Sequence, residues 1–318
     1  MISRKTSCGL LFFFLMAKMI TILGPTACGK TKLAVAIAHK LDGEIISADS
    51  RQVFRGMDLG TGKDLDDYVV DGNIVPYHLI DICEPGYEYS LFEFQQNFVD
   101  AYNSIVSRQK LPIICGGTGL YIESVLRKYQ LSDVPINAEL RKELEQCSDD
   151  ELVEKLKTYI SLHNHTDTET RDRLVRAIEI QDYQAKNPNS GIKIPEFDSI
   201  VLGVHYPREL VMQRIEKRLA ERLQGGMIDE IDQLLKNGVD SERLIRYGLE
   251  YKYVTLYLQG KMSYEDMFEK LNISIRQFAK RQMTWYRRME RNGVTINWID
   301  GTLSDADKLS KAMELYMK

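Results

Sequence analysis

Gly24-Pro25-Thr26-Ala27-Cys28-Gly29-Lys30-Thr31 reads G-x-x-x-x-G-K-T, and its flanks leave it one structural role. Met19-Ile20-Thr21-Ile22-Leu23 before it is a short β-rich apolar run. After it, Leu33, Ile37 and Leu41 recur every four positions, which predicts a helix over Lys30–Leu41, with Gly43 as its stop. Glu44–Asp49 reads as the next strand, so strand, turn, helix and strand compose a βαβ unit whose strands are parallel and adjacent. In such a turn the glycines let backbone N–H groups face inward, and the helix N-terminus adds positive potential. Lys30 supplies a point charge to bridging phosphate oxygens, and Thr31 supplies a hydroxyl ligand for Mg2+. The segment predicts polyphosphate or nucleotide binding, ATP included, without saying which phosphate bond reacts.

The rest of the 318 residues support a P-loop NTPase-like α/β fold with a parallel sheet core. Residues 76–82 are a further strand candidate, Ser90 with Glu93 is a capping box opening a helix through about Arg108, and Leu111–Cys115 is a buried strand ending in Gly116-Gly117-Thr118. From about 138 to 186 the pattern is helical and polar, with Leu140, Leu144, Leu152, Leu156 and Ile160 on the apolar side. Ile200–Tyr206 returns as a core strand, and the chain beyond Arg208 reads as helical up to Val294–Ile299. The expected organisation is a core of 19–127 and 197–318 with C-terminal helices, a helical insertion over 128–196, and a non-core extension over 1–18. That extension carries Arg4 and Lys5 before an apolar run, like a short signal peptide, but it is too short to span a bilayer. We expect a cytoplasmic protein with no membrane partner, acting as a monomer. The five cysteines form no CxxC pair, and no structural metal is expected.

In a parallel sheet, ligands bind outside the carboxyl ends of the strands. Asp49 ends the second strand and Thr118 lies just past another, so both should face the phosphate loop. Asp49 on its own reads as a helix cap, an Mg2+ partner or a catalytic base, and Asp81 after Leu79-Ile80 rivals it as a Walker B carboxylate. Net charge is only −4, from 42 Lys+Arg and 46 Asp+Glu, so nucleic acid would have to be met by a local basic groove. Three clusters could build one: Arg171, Arg173 and Arg176; Arg214, Arg218 and Arg222; and Arg276, Lys280, Arg281, Arg287, Arg288 and Arg291. Trp285, Tyr286 and Tyr247 lie near them as candidates for stacking on bases, or for the core.

Five ordered segments then coincide with one family. The phosphate loop, Ile45-Ile-Ser-Ala-Asp49-Ser-Arg-Gln52, Arg55-Gly-Met-Asp-Leu-Gly-Thr61, Gly116-Gly-Thr-Gly-Leu-Tyr121 and Arg276-Gln-Phe-Ala-Lys-Arg-Gln-Met-Thr-Trp285 resemble tRNA dimethylallyltransferase, the bacterial isopentenyltransferase. The similarity runs from about 19 to 300. It implies transfer of a dimethylallyl group from dimethylallyl diphosphate to the exocyclic amine of the adenosine 3′ of the anticodon, so that a tRNA anticodon stem-loop is the partner. By that resemblance Thr26–Thr31 hold the diphosphate, Asp49 is the general base, and Thr118 stands beside donor and acceptor. Asp49, Ser50, Arg51 and Gln52 touch the target nucleotide, and Asp172, Arg173, Leu174, Val175 and Arg176 contact tRNA in the insertion. Arg276, Lys280 and Arg281 are assigned to tRNA as well, and either Arg214 or Arg218 neutralises the diphosphate. The acceptor base is expected to be flipped out of its stack.

Two departures stand out: Cys28 replaces a small serine, and Glu250 in Gly248-Leu-Glu-Tyr-Lys252 brings an acid to a tRNA-facing segment. The alternatives are an adenylate isopentenyltransferase acting on free AMP, ADP or ATP, a P-loop ATPase or kinase using Asp81, and an RNA-binding module without catalysis. Retention of Arg173, Arg176 and the 276–291 basic cluster favours tRNA over free nucleotide.

Overall fold

The computed structural model describes residues 17–160, 170–188 and 190–317. The apolar run at 10–16 lies outside the described residues. Strands are β1 (Ala17–Leu23), β2 (Gly43–Ser47), β3 (Val69–Val70), β4 (Asn73–Ile74), β5 (Tyr77–His78), β6 (Leu111–Gly116), β7 (Phe197–His205) and β8 (Ile296–Asp300). Six of them form one parallel sheet in the order β5-β2-β6-β1-β7-β8, and β3 and β4 make a separate hairpin. β1 is central: Ile20 pairs with Ile113 of β6 on one side and with Ile200 of β7 on the other. Met19, Ile20, Ile22 and Leu23 are fully buried, as expected for a parallel strand covered on both faces.

Helix α1 (Lys30–Leu41) buries Leu33, Ala34, Val35, Ile37 and Ala38 against this sheet. Its last turn is closed by Asp42, left-handed at φ 52°, rather than by Gly43, which already belongs to β2. β1 begins at Ala17 rather than Met19. The strand expected over 76–82 shrinks to Tyr77–His78, because Leu79 and Asp81 adopt left-handed φ values of 63° and 55° that end extended structure. The chain there pairs instead with the preceding loop, where Ile82 and Cys83 both donate to the Val53 carbonyl.

The remaining helices are α2 (Leu91–Ser107), α3 (Gly119–Leu126), α4 (Ala138–Glu145), α5 (Asp149–Tyr159), α6 (Arg171–Lys186), α7 (Arg208–Gln224), α8 (Met227–Lys236), α9 (Ser241–Tyr247), α10 (Leu249–Leu258), α11 (Tyr264–Arg291) and α12 (Asp305–Tyr316). At the start of α2, Ser90 and Glu93 cap each other reciprocally, as their spacing predicts. The chain divides into two compact units. The described parts of 1–87, 100–122 and 195–318 form the first, which holds the sheet; 88–99 and the described parts of 123–194 form the second.

The second unit has its own apolar core of Leu144, Leu152, Leu156, Leu174 and Ile178. Beside it, Glu179 is buried and receives Arg141 through two bonds of 2.8 Å, Arg176 at 2.9 Å and the Asn137 amide at 2.9 Å. The Arg141 guanidinium, helped by Arg176 and that amide against the effect of burial, holds the Glu179 carboxyl down from an ordinary 4.5 to about 2. A carboxyl lowered in the folded state stabilises fully above its unfolded value and loses that contribution as pH falls through its folded one. The second unit should therefore weaken between pH 4.5 and about 2. Since Arg141 and Arg176 are 38% and 39% exposed, solvent screening limits the loss to about 2 kcal/mol. Glu179→Gln should flatten this acid sensitivity in a helical circular-dichroism titration; a curve parallel to wild type would refute the assignment.

Candidate active site

The sheet order places β6 between β2 and β1, so the loops after all three strands emerge side by side. Together with α7, α10 and α11 they line a cleft of about 1090 Å³ within the first unit. Thr26, Lys30, Thr31, Asp49, Thr118 and Arg218 all border it.

The glycine loop lies between β1 and α1, where its sequence predicts a turn. Gly29 caps α1 with φ 79°, a conformation that disfavours side chains, and offers no side chain to cap the first amides of the helix. Gly24, Pro25 and Cys28 are buried under the loop, so the Cys28 position contributes through its backbone. Two residues of α11 hold the loop from behind. Gln282 accepts from the Thr26 amide at 2.8 Å and donates to the Gly117 carbonyl at 2.9 Å. The Tyr286 hydroxyl reaches the carbonyls of Gly24 and Gly117, both at 3.2 Å. Tyr286 is fully buried, which removes it as a stacking platform, and burial pushes its hydroxyl well up in pKa. Its neighbour Trp285 does border the cleft, with Arg288 3.9 Å over its ring. Tyr247 leans on Phe54 at 4.5 Å between ring centres and bonds to the backbone of Gly86 and Tyr87.

Asp49 and Thr118 meet at the sheet edge. The Thr118 hydroxyl accepts from the Ser50 amide at 3.0 Å, and the Thr118 amide donates to the Ala48 carbonyl, tying the two strand ends together. Asp49 accepts from the Arg51 amide at 3.0 Å, a local turn that leaves its carboxylate bordering the cleft. Gln52 accepts from Ser47 at 3.0 Å and donates to the Gly62 carbonyl at 3.1 Å. Arg51 lays its guanidinium against Gly248. Asp81 is no Walker B carboxylate: it does not border the cleft, and it accepts from Lys63 instead.

The α7 arginines are split by neither spacing nor geometry. Arg214 donates to the Ala27 carbonyl at 2.8 Å and stacks 4.6 Å over Tyr206, while Arg218 reaches Thr26 Oγ1 at 3.5 Å. Both border the cleft, and so does Arg222, which sequence reading left among the basic clusters. Glu250 also borders the cleft, among Arg51, Arg218 and Arg222; burial raises its pKa.

Three residues that carry no periodic signal anchor the segment behind Gln52. Lys63, buried, donates to the Phe54 carbonyl at 2.7 Å, to Asp58 at 2.6 Å and to Asp81. Glu230 of α8 accepts from the amides of Asp58, Leu59 and Gly60 at 2.9, 2.7 and 3.2 Å, and from Tyr251 at 2.9 Å. Asp64 bonds to Arg218 and Arg222.

The residues assigned to tRNA differ in availability. On α6, Asp172 and Arg173 are exposed, Val175 is half-buried, Leu174 belongs to the core of the second unit, and Arg176 is fixed by Glu179 and the Val134 carbonyl. Leu174 and Arg176 thus present no free side chain. On α11, Lys280 and Arg281 are exposed and Arg281 borders the cleft, whereas Arg276 pairs with Glu216 at 2.7 Å. Among the described residues no group of three or more His, Cys, Asp or Glu side chains could by itself hold a metal ion, and no helix is long and apolar enough to cross a membrane.

Fold and site together define a parallel α/β protein whose strand-end glycine loop and arginine-bearing helix face a carboxylate across one cleft. The sequence pattern of the IPP transferase family matches residues 52–289, and that of isopentenyl transferases matches 17–73. A relative described as tRNA dimethylallyltransferase 2 of Phocaeicola vulgatus is 55% identical over 93% of this chain and 97% of its own. A tRNA dimethylallyltransferase 1 of Geotalea uraniireducens is 52% identical over 93% and 96%. A crystal structure of the tRNA delta(2)-isopentenylpyrophosphate transferase of Staphylococcus epidermidis superposes with a TM-score of 0.66 at 30% identity, covering 95% of this chain and 99% of that one. A eukaryotic dimethylallyltransferase described as acting on tRNA gives 0.75 at 25% identity, covering 90% and 74%. The chain belongs to the IPP transferase family.

Proposed function

We propose that this protein transfers a dimethylallyl group from dimethylallyl diphosphate to the exocyclic amine of the adenosine 3′ of a tRNA anticodon, in the cytoplasm. The observation that carries the reading is the shared cleft: a phosphate-gripping loop, the α7 arginines and Asp49 face one space. In this reading the loop holds a leaving group, not a γ-phosphate under attack.

As the allylic C–O bond breaks, negative charge grows on the diphosphate. Thr26, Lys30 and Thr31 of the loop, together with Arg214 and Arg218, border that place, and in this reading their amides and positive charges stabilise the growing charge, with Arg218 shared with Asp64. The acceptor amine is a weak nucleophile because its lone pair is delocalised into the ring. Asp49 takes the amine proton as the N–C bond forms, and Thr118, bound to the adjoining Ser50, fixes the carboxylate's segment. Mg2+ fits the donor set only as a partner of the diphosphate, held by Thr31 and phosphate oxygens, where it would add leaving-group charge stabilisation.

The tRNA acceptor is supported by the descriptions of the relatives and by exposed Arg173, Lys280 and Arg281. No feature of the cleft favours free adenylate. Incubation with labelled dimethylallyl diphosphate, offering AMP, ATP and unmodified tRNA in competition, should place the label in tRNA alone. Label in AMP or ATP would overturn the reading.

A further inference from the structure

Asp64 brings an acidic side chain to the α7 arginines beside the phosphate loop: its carboxylate accepts from Arg218 at 2.6 Å and from Arg222 at 3.1 and 3.2 Å. Arg218 also reaches Thr26 Oγ1 of the loop at 3.5 Å, so a guanidinium that meets Asp64 borders the loop as well. The backbone is arranged for this contact. Asp64 is left-handed at φ 43°, a conformation that Asp and Asn tolerate better than other side-chain-bearing residues. Two residues earlier, Gly62 at φ 71° lies where any Cβ would collide with the guanidinium nitrogens of Arg218 and Arg222. Burial pushes the Asp64 carboxyl up, but the two arginines outweigh it and keep it ionised.

We propose that Asp64 is an internal competitor for the diphosphate, pairing with Arg218 and Arg222 and thereby setting how tightly the donor and the released diphosphate are held. The inference rests on the donor reading above and adds a residue that tunes it. A diphosphate entering the cleft must draw Arg218 from Asp64 or share it, and Asp64 takes the guanidinium back when the product leaves. The carboxylate is 43% exposed, so it moves without crossing a packed core. Because Asp64 acts on ground-state affinity for the anion, its removal should be felt in binding more than in chemistry.

The test is calorimetric titration of the full chain with inorganic diphosphate. Asn keeps the left-handed backbone and removes only the charge, so Asp64→Asn should bind diphosphate about fivefold more tightly than wild type. The donor KM should fall in parallel, with kcat unchanged or lower through slower product release. Should the Asn variant melt early, Asp64→Ser repeats the measurement. Equal or weaker diphosphate binding in the folded variant would overturn the proposal and make Asp64 a plain positioning residue for the arginines. Absence of diphosphate binding by the wild type would instead overturn the donor reading itself.

Discussion

Asp49→Ala should lower the turnover of prenyl transfer by a factor of about 10²–10⁴ while leaving tRNA affinity unchanged. The substitution removes the carboxylate that borders the cleft, yet Thr118 keeps its bond to Ser50, and Gln52 its bond to Ser47 of β2. Binding and chemistry therefore separate: gel-shift affinity reports the surface, single-turnover transfer reports the base. Turnover within twofold of wild type would remove Asp49 from the catalytic role. Loss of tRNA binding in step with turnover would make it a contact residue.

The second large effect should come from Lys63, which touches no substrate. Its ammonium is buried and joins the Phe54 carbonyl, Asp58 and Asp81, closing the loop that carries Gly62 and Asp64. Lys63→Met keeps the stem but strands these acceptors, and removing one partner of a buried charge cluster is costly. Asp58 and Asp81 are 53% and 33% exposed and can rehydrate, so the loss should be about 2–3 kcal/mol. That corresponds to a melting temperature roughly 5–10 °C lower. Asp81→Asn leaves Asp58 and Phe54 bound and should cost less. A Lys63→Met protein melting with wild type would show that Glu230 and Asp64 hold the loop without it.

These two residues mark what the amino-acid sequence displays and what it hides. The β1–loop–α1–β2 unit was legible because its signals are local: an apolar run, glycines at fixed offsets, a four-residue repeat. Asp49 and Thr118 followed from one topological rule about parallel strands, and the sheet order brings them together. Lys63, Asp64, Glu230 and Gln282 carry no such signal, because each is defined by a polar partner distant in sequence or by a loop conformation. The Walker B reading of Asp81 failed for a related reason. Left-handed φ at Asp81 and at Leu79, the latter a residue that does not announce a turn, accompanies the pairing of that carboxylate with Lys63. Along α11 the apolar repeat shows which positions are inward, but not that Tyr286 is sealed while adjacent Trp285 borders the cleft.

The bond between Thr26 and Gln282 joins residues 256 positions apart. At 5–20 residues per second, a ribosome needs roughly 13–50 s to make the intervening chain. Throughout that interval the glycine loop has been synthesised but lacks the amide that braces it and the hydroxyl of Tyr286 behind it. β1, the first strand, likewise waits for β6 and β7 before either of its edges is covered. A nascent chain of this protein thus lacks both α11 contacts to its glycine loop until the last long helix is made. Messages truncated before α11 should yield products that neither bind diphosphate nor compete with the finished enzyme for prenyl donor.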